Sequence, residues 1–93
     1  MTDGMRAATS RLPARAREIE QLTGKDETFR SICDDLAAAE GALRQIDRWP
    51  EALRPERRRE YESLVESLTA EIESALQQEK VISIAGARRK PAI

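Results

Sequence analysis

Between residues 26 and 80 the apolar positions fall into two stripes of helical spacing, and the rest of the chain is arranged around them. Phe29, Ile32, Cys33, Leu36, Ala39, Leu43 and Ile46 recur every three or four residues, which places them on one side of a helix. The residues between them are charged or small, such as Arg30, Asp34, Asp35, Glu40 and Arg44. Gly24 is suited to ending a preceding segment. Asp26 is suited to capping the new helix, with Glu27 in the first turn where an acid complements the helix dipole. Gly41 is a weak point, costing roughly 1 kcal/mol against alanine in a helix interior. Pro50 ends this helix, because Trp49 before it is pushed toward extended geometry.

Pro55 suits the first position of a second helix, whose apolar stripe is Tyr61, Leu64, Val65, Leu68, Ile72, Ala75 and Leu76. Glu62, Glu66 and Glu73 occupy the opposite face. The short link between Trp49 and Arg54 predicts antiparallel neighbours. The pattern therefore predicts an all-α fold, an antiparallel helical hairpin of about 26–48 and 55–80. The register of this hairpin resembles that of the small bacterial YdcH-like helical-hairpin proteins, which have no settled activity. The resemblance is carried by Phe29, Ile32, Leu36, Ala39 with Glu40, Leu43 and Ile46 with Asp47 in the first helix. In the second it is carried by Leu68, Glu71 with Ile72, and Leu76. It covers roughly 26–76, and it departs where the family is rich in Lys and Arg and this chain has Val65, Glu66 and Ser67. What it implies is a shape, without a mechanism.

Outside the hairpin the pattern weakens. Residues 1–10 show no periodicity and are expected to form a disordered arm. Leu12, Ala16, Ile19 and Leu22 share a face, so a short helix is expected over about 11–23, with Ser10 as its cap and Pro13 in its first turn. That segment either packs on the hairpin as a third helix or frays, since it is too short to persist alone. After Lys80 come Val81, Ile82 and Ile84, then Gly86 and the cluster Arg88, Arg89 and Lys90. Residues 81–93 are expected to be a flexible basic tail unless a partner covers Val81 and Ile82. The hairpin holds 11 large apolar side chains, too few to offset the entropy of ordering roughly 50 residues. A third helix or a second copy is needed, so the fold is expected to close as a three-helix bundle or as a dimeric four-helix bundle.

Composition narrows the function classes. Of 93 residues, 35% are charged and 3% aromatic, which suits a helical hairpin or coiled coil rather than a β-sandwich or an α/β enzyme. The net charge of −1 is unevenly laid out: residues 1–25 carry +2, residues 26–48 and 49–80 carry −3 each, and residues 81–93 carry +3. An acidic rod with basic ends favours association with an extended charged partner or with another copy, although solvation alone also accounts for it. The stretch 4–17 holds Arg6, Arg11, Arg15 and Arg17 without an acid. That composition is shared by mitochondrial transit peptides and by solvated arms, and we take the arm. No apolar run spans a membrane and no secretory apolar core is present, so a cytoplasmic location is expected.

The chemistry of sites is nearly absent. The chain has no histidine, which removes the commonest general base and metal ligand, and no cofactor is expected. Cys33 is the single cysteine; it lies on the apolar stripe beside Ile32 and reads as a small buried thiol rather than a nucleophile or zinc ligand. Asp34 and Asp35 point about 100° apart on a helix and make a poor catalytic pair. Arg57, Arg58 and Arg59 crowd a helix start, where positive charge is mildly unfavourable. They either meet an anionic partner or pair with Glu60, Glu62 or acids of the first helix. Trp49 either folds back over Leu53 to cap the core or stands free as a contact residue.

These features point to a non-enzymatic module for protein–protein interaction or self-association, working as a homo-oligomer or docked on a larger protein. Its candidate contact residues are Trp49, Arg57, Arg58, Arg59, Val81, Ile82, Arg88, Arg89 and Lys90. The alternative is a small regulator that touches nucleic acid, or a nucleic-acid enzyme, through its basic ends. The acidic balance, with pI near 5.6, argues against dedicated nucleic-acid binding.

Overall fold

The structure, a computed structural model, describes the backbone of residues 2–89 and the side chains of residues 2–78. Among the described residues it is all helical: α1 (Asp3–Arg11), α2 (Ala16–Lys25), α3 (Glu27–Arg44) and α4 (Arg54–Arg89), with short 3₁₀ turns at Pro13–Arg15, Ile46–Arg48 and Glu51–Leu53. The hairpin read from the two stripes is α3 and α4. Asp26 caps α3 as expected, its Oδ1 accepting from the Phe29 N–H at 3.1 Å. Gly24 does not end the preceding segment; it lies inside α2, which runs one residue further to Lys25.

The stripes become the core. Phe29, Cys33, Leu36, Ala39 and Ile46 on one side, and Val65, Leu68, Ile72 and Leu76 on the other, are buried. Ile19 and Leu22 of α2 join them, so the segment around Ile19 docks rather than frays. Thr23 is buried without penalty, because its hydroxyl donates to the Ile19 carbonyl at 2.9 Å.

The largest departure lies at the N-terminus. Where an arm is expected over 1–10, α1 is a helix, capped by Thr2, whose Oγ1 accepts from the Met5 N–H at 3.2 Å. Ser10 accordingly lies inside α1 and caps nothing; the break falls at Leu12 and Pro13. The face that α1 buries is Gly4, Ala7 and Ala8, spaced three and four residues apart. Small side chains contribute little to an apolar periodicity, yet they let two backbones approach closely. A Cβ placed on Gly4 would lie 2.8 Å from both the Asp34 nitrogen and the Cys33 carbonyl carbon. One end of α1 therefore rests directly on the backbone of α3, and at the other end Arg11 pairs with Glu40. Gly4 sits beside residues 33–34 and Arg11 beside residue 40, so α1 runs parallel to α3, with α2 returning between them in sequence.

The ends of the hairpin differ from the sequence expectation for local reasons. Helix α3 stops at Arg44, and the chain tightens into a 3₁₀ turn instead of continuing to 48. Trp49 adopts extended backbone before Pro50. Arg54 then clasps the turn: its guanidinium donates to the Trp49 carbonyl at 2.9 Å and the Asp47 carbonyl at 3.0 Å. At the other end α4 does not give way to a tail near residue 81; its backbone is helical to Arg89. With 36 residues against the 18 of α3, it is about 54 Å long beside about 27 Å.

Candidate interaction surface

Four helices use most of the two stripes for the core, and what remains exposed defines the surface available to a partner. On α4, Leu64 is 45% exposed although it lies among the predicted core positions. The reason is geometric. Tyr61, Leu64, Leu68 and Ala75 form one line on the helix, while Val65, Leu68, Ile72 and Leu76 form a second line rotated from it. Only the second line points fully at α3 and α2. Tyr61 and Ala75 end half-buried, and Leu64 faces outward.

The outward line edges a shallow groove of about 270 Å³ between α3 and α4, lined by Asp35, Ala38, Ala39, Tyr61, Leu64 and Leu68. Ala38 is exposed and small, so α3 offers a floor rather than a wall. Asp35 supplies the only charge of that lining. Opposite in character is the surface trough between α1 and α3, lined by Asp3, Arg6, Asp34, Glu40 and Arg44 together with small residues. Its charges are of mixed sign and lie at the surface.

The arginine cluster at the start of α4 divides by role. The Arg57 guanidinium carbon stands 4.9 Å above the centre of the Trp49 ring, and its Nη1 donates to Glu60 at 2.6 Å. The hydrogen bond to Glu60 raises the Arg57 pKa above its ordinary value. The Arg57 Nε is shielded from solvent and has no hydrogen-bond partner among the described residues. Arg58 and Arg59 are exposed. Trp49 is half-buried beneath Arg57, and Leu53 is 37% exposed.

Thus the fold brings Trp49 and Arg57 together and leaves Arg58 and Arg59 apart from them. Val81, Ile82, Arg88 and Arg89 fall on the distal backbone of α4, beyond the described side chains, and Lys90 lies outside the described residues. The groove residues Asp35, Ala38, Tyr61 and Leu64 were not among the contact residues expected from sequence. The signal for them was present: the apolar line of α4 is broader than one neighbouring helix can cover.

Cys33 is wholly buried. Burial, with a smaller contribution from the negative charge of Asp34, pushes its thiol up to about 11. Because the thiolate is the reactive species, Cys33 is expected to resist thiol reagents at pH 8 and to react fully only on unfolding. The sign of the pH effect follows. An unfolded thiol ionises near its ordinary value of about 8.5, so the unfolded state loses its proton first. The stabilisation from keeping this thiol neutral is complete below about pH 8.5 and is lost as pH rises toward 11. Urea melts at pH 7.5 and pH 10.5, with a Cys33→Ala control, measure it. A wild-type midpoint that falls no more than the control's contradicts the burial of this thiol.

Among the described residues no three His, Cys, Asp or Glu side chains cluster as a metal site, and no helix is long and apolar enough to cross a membrane. Comparison with family models, curated proteins and solved structures finds no match to this chain.

Proposed function

We propose that this chain is a non-enzymatic helical module for self-association, and that it acts through the open α3–α4 face. The observation that carries this reading is Leu64: a large aliphatic side chain, 45% exposed, at the edge of a groove whose other lining residues are mostly alanine, leucine and tyrosine. Single exposed apolar residues are ordinary, but an apolar line bordering an apolar groove favours a protein contact. The nucleic-acid alternative is less well supported, since the chain carries a net charge of −1 and a pI near 5.6.

Sedimentation equilibrium over the micromolar range tests the proposal. The full chain is expected to sediment as an oligomer, and Leu64→Glu as a monomer. Because Leu64 contributes little to the core, the helical circular dichroism of Leu64→Glu should match the wild type. A wild-type chain that stays monomeric, or an oligomer indifferent to Leu64→Glu, overturns the reading. A mass increase that requires added duplex DNA would favour the nucleic-acid alternative instead.

A further inference from the structure

The line through Leu64 has a symmetry of its own. Arg57 and Glu71 lie seven residues before and after it, and seven residues return a helix to within about 20° of its starting direction. The sequence on this line is therefore cation, leucine, anion, at intervals of about 10.5 Å. Glu71 is exposed and takes part in no ion pair among the described residues. Glu73 lies nine residues from Leu64 and so on the far side of the helix; Arg15, hydrogen-bonded to Glu18 just before α2, also feels the Glu73 charge. The Leu64 line thus points away from α2.

Resting on the self-association just proposed, we infer that the partner on this face is a second copy, packed with its α4 antiparallel and with the twofold axis at Leu64. Antiparallel helices about a twofold place residues facing when their numbers sum to a constant, here about 128. Leu64 then meets Leu64 of the partner subunit. Arg57 meets the partner's Glu71, and the reciprocal pair forms on the other side of the axis. Tyr61 falls within one position of the partner's Leu68, which borders the same groove. At this register leucine meets leucine at the axis, and the cation on each side meets the anion of the other copy. A parallel pairing would instead stack Arg57 on Arg57 and Glu71 on Glu71. The charges therefore select both the orientation and the register, as polar positions do in coiled coils. The contact is isologous, so it closes at a dimer.

A charge swap on the full chain tests this, read by sedimentation equilibrium with circular dichroism to confirm folding. Glu71→Arg and Arg57→Glu are each expected to raise the dimer Kd by roughly tenfold or more, since each sets two like-charge contacts across the axis. The double variant should return to within about threefold of the wild type. Because Arg57→Glu also removes the Trp49 contact, a crosslink supplies a second readout. With oxidised glutathione, Leu64→Cys should join to itself, whereas Glu62→Cys, on the opposite side of α4, should not. If the single variants dimerise as well as the wild type, or the double variant fails to recover while Leu64→Cys does not crosslink, the antiparallel register is overturned. If Leu64→Glu still abolishes association in that case, self-association through this face stands and only its geometry fails. A monomeric wild type overturns both.

Discussion

Leu36→Asp is expected to leave the chain unfolded at 25 °C. Leu36 has no exposed surface and belongs to the core cluster with Ile19, Leu22, Phe29, Cys33, Leu68 and Ile72 among others. The cluster is built of apolar side chains, so a carboxylate there would lose its hydration or would have to be protonated. Loss of the leucine contacts alone costs about 2–5 kcal/mol, and the unpaired polar group adds to it. Small domains have only about 5–15 kcal/mol in total, and a chain of this size belongs at the low end. The far-UV helical signal should be largely lost. Leu68→Ala should be milder, because Leu68 also borders the open groove, where solvent can relieve the cavity. A drop in Tm of about 10 °C or more is expected for it. Asp34→Ala should lie within about 0.5 kcal/mol of the wild type, because its side chain is exposed. Thermal melts that rank Asp34→Ala with the two leucine variants would refute this assignment of faces.

Gly4→Val is expected to detach α1. The added Cβ would fall 2.8 Å from two backbone atoms of α3, which have no rotamer with which to move aside. Overpacking of a close contact typically costs about 1–3 kcal/mol, and here the whole helix can escape the clash by leaving. Once off α3, a nine-residue helix does not hold its structure in water. Three results should appear together: a lower Tm, faster tryptic cleavage at Arg6 and Arg11, and faster modification of Cys33, whose backbone lies beneath Gly4. Gly24→Val is the control for the backbone effect of adding a β-branched residue to a helix, because nothing lies within 4 Å of that position. If Gly4→Val melts like this control and Cys33 stays protected, α1 does not depend on the close approach.

Both predictions trace to the difference between what periodicity encodes and what packing decides. The sequence by itself determined the α3–α4 hairpin, because large side chains at three- and four-residue spacing have no other way to leave water together. It also determined the turn, through Pro50 and the restriction on Trp49, and the start of α3, through the Asp26 cap. It determined that Cys33 would be inside, since its neighbours on the stripe are Phe29 and Leu36.

Only the tertiary structure decided the rest. Gly4, Ala7 and Ala8 form an interface by being small, and smallness has no signal until a second backbone lies against it. The backbone of α4 stays helical to Arg89, past the expected end at residue 80, where the simple apolar stripe gives out. Arg57 was one of three equivalent arginines until the turn delivered the Trp49 ring beneath it. Leu64 and Val65 are adjacent and both apolar, and about 100° of helix rotation separates them. The position of α3 and α2 around α4 put Val65 in the core and left Leu64 in solvent, because a helix with two apolar lines can turn only one of them fully toward its neighbours.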